Sequence, residues 1–203
     1  LFHVDSNMIP SLASAGLLEP LDQYLDAAGV KINAVGNFGE FMTYKGKTYG
    51  VPTDGNVHVQ FIRKDLFEDP DERKAFADKH GREMTWPETW EEELELMNFF
   101  TRPEDNLWGS ANLRDRGSSL AWWYMYLYSA GGFPFTDDLE PNIDNDAGEY
   151  AVQTFLNVKS ASHPEAAGWG TPQMIPRIIN GNAFSCQYWD GIIALAENPD
   201  KSK

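Results

Sequence analysis

Small hydrogen-bonding side chains gather at Thr53-Asp54-Gly55-Asn56, between Gly50-Val51-Pro52 and an alternating run from Val57 to Arg63. Asp and Asn can grip hydroxyls or amides, but Asp-Gly is also a turn dipeptide. The same residues therefore read either as a turn or as a polar grip at the mouth of a strand. Other groupings carry less. Glu91, Glu92 and Glu93 could suggest paired catalytic carboxylates, yet they stand in the first turn of an expected helix. Acids there complement the helix dipole and face solvent. Asp144-Asn145-Asp146-Ala147-Gly148 has the start of a calcium loop without its remaining ligands, and helix N-capping accounts for it better. The histidines His3, His58, His80 and His163 lack ligand spacing. Cys186 stands alone, so it has no internal disulfide partner and reads as a small buried hydrophobe. No phosphate loop, dinucleotide fingerprint, nucleophile elbow or HExxH helix occurs, and nothing pairs a nucleophile with a base. No metal and no cofactor is expected.

Composition narrows the class of partner. The chain has 203 residues, 42% of them hydrophobic and 23% charged, with a formal net charge of −15. That charge opposes binding to nucleic acid or to an anionic membrane surface. Aromatic residues make up 13%, including seven Trp, and their flat apolar faces with polar handles serve cores and binding clefts alike. A neutral, hydroxylated or cationic small ligand fits this balance best. No apolar run of about 18 residues is present to span a bilayer. The chain starts Leu-Phe-His-Val with no basic-then-apolar leader, so a mature or excised segment is expected.

The elements that would carry these side chains alternate between helices and short strands. Leu1–Val4 reads as a short buried strand ending at Asp5-Ser6-Asn7. Helical spacing follows from Leu12, broken at Gly16, with a second helical turn over 21–25. Two β-prone pieces joined by Lys45-Gly46-Lys47 predict a hairpin, and Val57–Arg63 a strand. A charged helix begins near Pro70 and stops at Gly81. Thr89 is the expected N-cap of the next, with Glu92 at capping-box spacing and Leu94, Met97 and Phe100 as its apolar stripe. The run from Ser119 to Gly131 is apolar nearly all round and reads as a buried helix. A short hairpin, a helix capped by Asn145 or Asp146, a helix ending at Gly181, and a strand at AFSCQYW complete an α/β pattern.

The ordered motifs together resemble a family. Ala15-Gly16-Leu17-Leu18-Glu19-Pro20-Leu21, Tyr44 to Pro52, Arg63-Lys64-Asp65-Leu66-Phe67, Pro87-Glu88-Thr89-Trp90-Glu91-Glu92, Ala130-Gly131-Gly132 and Asn180-Gly181-Asn182-Ala183 follow one another as in carbohydrate-type extracellular solute-binding proteins. These are the receptors of ABC importers, and maltose-binding protein is one of them. Members are about twice as long, so the chain is expected to be a central fragment. The resemblance implies a periplasmic-binding-protein-like, type II, two-lobe α/β fold, only partly represented. It assigns 1–56 to the first lobe up to the hinge crossing and 57–203 to the second.

What the resemblance implies about function is binding without turnover. A sugar or related polyol would lie in the interlobe cleft, held by aromatic platforms and hydroxyl-gripping side chains. The candidate ligand-binding residues are Asp5 and Asn7, which could equally cap a helix; Asp54 and Asn56 at the crossing, with His58 beyond; Arg114 and Trp122; and Gln187, Trp189 and Asp190. Trp169 is open between site and core. The implied partners are the sugar or oligosaccharide and the ABC permease membrane subunits, with no nucleic acid and a monomeric full-length protein. The implied location is extracellular or periplasmic, with a lipoprotein anchor as one form. Alternatives are a hydrolase using paired carboxylates such as Asp54 and Asp190, or a sensory module on the same fold.

Overall fold

The computed structural model describes residues 1–32, 36–53, 55, 57–112 and 114–202. Asp54 and Asn56 lie outside the described residues. The chain divides into two compact units, Leu1–Asn56 and Val57–Lys203.

In the first unit, helix α1 (Ile9–Ser14) starts with Pro10 in its opening turn and is followed by Gly16 at φ +69°. Helix α2 (Asp22–Ala28) ends at Gly29, which adopts the left-handed conformation. Strands β1 (Thr43–Tyr44) and β2 (Lys47–Thr48) form the expected hairpin, with Lys45 and Gly46 both at positive φ. That is the turn geometry whose twist suits a two-residue loop. The hairpin is tied to α2 by Leu21 N donating to Thr48 O at 2.7 Å and Thr48 N donating to the Asp22 carboxylate at 3.2 Å. Leu1–Val4 do not form a strand; Ser6–Met8 make a 3-10 turn instead. A strand requires a partner ladder, and among the described residues of the first unit β1 and β2 pair only with each other.

The second unit is built on a mixed sheet in the order β3-β5-β4, comprising β3 (His58–Ile62), β4 (Trp108–Ser110) and β5 (Ala183–Trp189). β5 pairs antiparallel with β3, Gln60 opposite Gln187, and parallel with β4, Ser110 opposite Ser185. As the central strand, β5 is buried along nearly its whole length. Helices α3 (Lys64–Glu68), α4 (Pro70–His80), α5 (Trp90–Phe99), α6 (Ser119–Ser129), α7 (Asp146–Asn157), α8 (Thr171–Ile179) and α9 (Ile193–Ala196) surround it. Their ends follow the sequence signals. Asp69 caps α4, and Gly81 closes it at φ +71°. Thr89 Oγ1 accepts from Glu92 N at 3.2 Å, while the Glu92 carboxylate reaches back one residue further, to Glu88 N. Asn145 caps α7 through Gly148 N at 3.0 Å.

One cluster of the core joins Trp122, Tyr126 and Leu127 of α6 to Met97, Ala151, Met174, Cys186 and Tyr188. A second joins Phe67, Phe76, Met84, Leu96, Phe100 and Phe184, with the rings of Phe100 and Phe184 stacked at 4.1 Å. α6 is less uniformly buried than its apolar sequence predicts, since Leu120 and Tyr128 are half exposed. α5 departs in the opposite sense: Glu93 is buried beside Leu96, Met97 and Phe100.

Gly109 sets how closely β4 approaches α5. A Cβ there would fall 1.9 Å from the Met97 carbonyl oxygen, backbone that cannot yield without moving the helix end. G109A is expected to cost at least about 3 kcal/mol in urea unfolding, or to prevent folding. A change within about 0.5 kcal/mol would show that the strand and helix can separate freely.

Candidate functional site

The second unit brings aromatic and polar side chains together where the end of β5 meets the start of β3. His58 lies opposite Trp189 in the register, and the two rings meet edge to face at 4.8 Å. Trp122 of α6 backs both, at 5.2 Å from His58 and 5.4 Å from Trp189. Tyr188 adds a ring at 5.0 Å from Trp189, and its hydroxyl lies 3.0 Å from Thr171 Oγ1. Asp190 follows directly. Its backbone N donates to Val57 O at 3.1 Å, and its carboxylate accepts from Val57 N at 3.4 Å. Trp189 and Asp190 are partly exposed, so a platform and an acceptor stand side by side. Burial lowers the His58 pKa, leaving a neutral imidazole that can stack and share one hydrogen bond each way.

Trp122 and Gln187 do not form part of the contacting surface. Trp122 is fully buried, with its indole N–H donated to Gln187 O at 3.1 Å. Gln187 is 2% exposed, and its side chain is used on both ends. An apolar helix beside a central strand buries what it packs against, so these two residues support the rim from behind. Arg114 is also turned elsewhere. Its Nη2 donates to Phe155 O at 2.6 Å and its guanidinium covers the Phe155 ring at 4.5 Å, tying the loop before α6 to α7. Trp169 is core: it is buried, stacked with His163 at 5.1 Å and covered by Arg177. In the first unit, Asp5 and Asn7 are exposed around the 3-10 turn, and the Asp5 side chain caps nothing. Asp54 and Asn56 are not described.

Behind the rim lies a polar network absent from the sequence reading. Glu93 Oε1 accepts from Gln60 Nε2 at 2.5 Å, from Ser185 Oγ at 3.1 Å, and from Gln187 Nε2. Gln60 Nε2 also donates to Ser185 Oγ at 2.7 Å, and Gln187 Nε2 to Gln60 Oε1 at 2.7 Å. Asn112 closes the set, accepting from Gln187 N at 2.8 Å and donating to Gln187 Oε1. The expectation that all three acids of this turn face solvent fails at Glu93. Its spacing from Met97 and Phe100 puts it on the inward face of α5, a helical period that could have revealed it. Burial pushes its pKa up to about 7, the hydrogen bonds opposing. Gln60, Glu93 and Ser185 also line a cavity of about 1350 Å³, together with Trp90, Phe61 and Ile178. Among the described residues no cluster of His, Cys, Asp or Glu could hold a metal, and no helix is long and apolar enough to cross a membrane.

A family model described as bacterial extracellular solute-binding protein matches residues 1–201. No curated protein matches. Among solved structures, the chain is similar to an ABC transporter solute binding protein from Agrobacterium radiobacter in complex with ribitol, at 18% identity and a TM-score of 0.79. That match covers 98% of this chain and 49% of the other. A second, from Agrobacterium vitis with bound D-mannitol, shares 20% identity at a TM-score of 0.73, covering 98% and 46%. A third, from Thermotoga lettingae bound with alpha-D-tagatose, shares 22% identity at 0.74, covering 95% and 48%. The fold is thus that of the two-lobe binding proteins, and the chain spans about half their length.

The Glu93 pKa has a consequence for stability. The folded carboxyl keeps its proton to about pH 7, whereas the unfolded one releases it near 4.5. Its contribution is therefore fully present below the lower value and is lost as pH rises through the upper one. Between about pH 4.5 and pH 8, wild type is expected to lose about 3 kcal/mol relative to E93Q in urea unfolding. Parallel curves for the two proteins would rule out a raised Glu93 pKa.

Proposed function

Because the chain belongs to the bacterial extracellular solute-binding protein family, we propose that it forms part of the substrate receptor of an ABC importer, binding a sugar or polyol without turnover. The match of the family model along residues 1–201 carries this reading. The ribitol, D-mannitol and tagatose bound by similar structures support a polyhydroxylated ligand. So does the rim: an apolar ring face would stack on Trp189, with Asp190 and neutral His58 taking hydroxyls.

In this reading residues 1–56 belong to one lobe and 57–203 to the other, with the crossing at Asp54-Gly55-Asn56; the division into two compact units supports it. Asp5, Asn7, Asp54 and Asn56 would supply further hydroxyl contacts. Trp122 and Gln187 hold the platform, and Arg114 braces the loop before α6. A ligand touching both lobes binds the closed form better and shifts the population toward it, and the closed form is what a permease would recognise. The family description supports an extracellular or periplasmic location, and the receptor would act as a monomer.

A thermal-shift series with ribitol, D-mannitol and tagatose is expected to raise the melting temperature, because a ligand at about 100 times its Kd adds about 2.7 kcal/mol. Tryptophan fluorescence should change on titration with the ligand that stabilises most. W189A should lose that change and weaken binding at least tenfold. An unaltered W189A titration would remove Trp189 from the site, and new reducing ends released from oligosaccharides would make the protein an enzyme.

A further inference from the structure

Glu93 does not touch the rim, yet two hydrogen-bonded steps connect them. Its Oε1 gathers Gln60 of β3 and Ser185 and Gln187 of β5. Gln187 is clasped at both its backbone N and its side-chain oxygen by Asn112, and its carbonyl receives the Trp122 indole N–H at 3.1 Å. Trp122 then packs against His58 and Trp189. We propose that Glu93 is a positioning residue for the rim: ionised, its Oε1 holds its three donors most tightly and locks Gln187, and through it Trp122 and Trp189, into one arrangement; protonated, it accepts from them more weakly, so ligand affinity is coupled to the proton on Glu93. The coupling rests on the ligand-binding reading above.

The surroundings determine the direction of this effect. Gln60 faces the carboxyl from β3 and Ser185 and Gln187 from β5, while Cys186 of β5 and Tyr126 of α6 lie close enough to feel its charge. None is a cation, and Glu93 makes no ion pair among the described residues. Burial raises the pKa of both Cys186 and Tyr126, so both stay neutral across the range in which Glu93 titrates. Within its own turn, Glu91 is engaged by the Tyr150 hydroxyl of α7 at 2.9 Å. A carboxylate here has amide and hydroxyl donors but no opposite charge, and the bonds from those donors strengthen when the acceptor is ionised.

The test combines side-chain NMR with a binding titration. In ¹⁵N-labelled protein, the Trp122 indole and the Asn112 and Gln187 side-chain amides are expected to shift together with a midpoint near pH 7, and E93Q, which mimics the neutral acid, should abolish that transition. The His58 titration lies lower and should persist in both proteins. With ribitol as probe, the Kd is expected to fall roughly tenfold from about pH 6 to pH 8 in wild type and stay flat in E93Q, a change of about 1.4 kcal/mol. An unchanged transition in E93Q, or none in wild type, overturns the proposal. A wild-type transition with a pH-independent Kd overturns the coupling to affinity. If the transition is present but ribitol, D-mannitol and tagatose all fail to bind, the receptor reading falls while Glu93 still stands as the residue that positions the rim.

Discussion

Burying a carboxyl costs several kcal/mol unless hydrogen bonds replace its water, and a buried charge costs far more without a counter-ion. At Glu93 the replacement comes from three side chains on two strands, so the first turn of α5, β3 and β5 must hold one register for it to be satisfied. A slip of one residue in the β3–β5 pairing would send Gln60 to the opposite face and leave the carboxyl short of a donor. Hydrophobic packing alone would tolerate several arrangements here. The polar network favours one of them.

The rim inherits that specificity. Trp189 is useful as a platform only if its ring is held at a fixed angle, because an aromatic surface free to rotate loses entropy on stacking. Its neighbours on three sides are Trp122, Tyr188 and His58, and each has a further anchor or packing partner: the Gln187 carbonyl for Trp122, Thr171 for Tyr188, and the Trp122 ring for His58. β5 therefore serves two purposes along its length. Its middle carries the buried polar set, and its end carries the exposed ring and carboxylate.

Much of the scaffold was legible in local signals. Thr89 and Asn145 cap the helices as their positions predict, and Gly81, Gly131 and Gly181 all adopt the positive φ expected at helix ends. The strands at 58–62 and 183–189 follow from alternation and from an unbroken β-prone run. The failures at Leu1–Val4, Trp122 and Gln187 share a cause, since each depends on something distant in sequence. Leu1–Val4 has strand-forming residues but, among the described residues, no ladder to join. Trp122 and Gln187 have the chemistry of a sugar site, but α6 packed on a central strand hides both. Glu93 was read from helix position, which is right for Glu91 and Glu92, whereas helix phase governs the third acid. Asp and Asn in the opening turn look alike whether they cap or bind, and only the opposing surface distinguishes the two.

The strand order has a kinetic side. β3 and β4 both pair with β5, the last of the described strands, and the bond from Gln60 to Ser185 spans 125 residues. At roughly 5–20 residues per second, a ribosome would need on the order of ten seconds after making β3 to deliver its partner. During that interval β3 would lack its β5 partner and the apolar run of α6 would lack the sheet it covers, the kind of exposure that recruits chaperones or aggregates. A mutation that slows β5 docking should therefore lower soluble yield before it changes anything measurable in the folded protein.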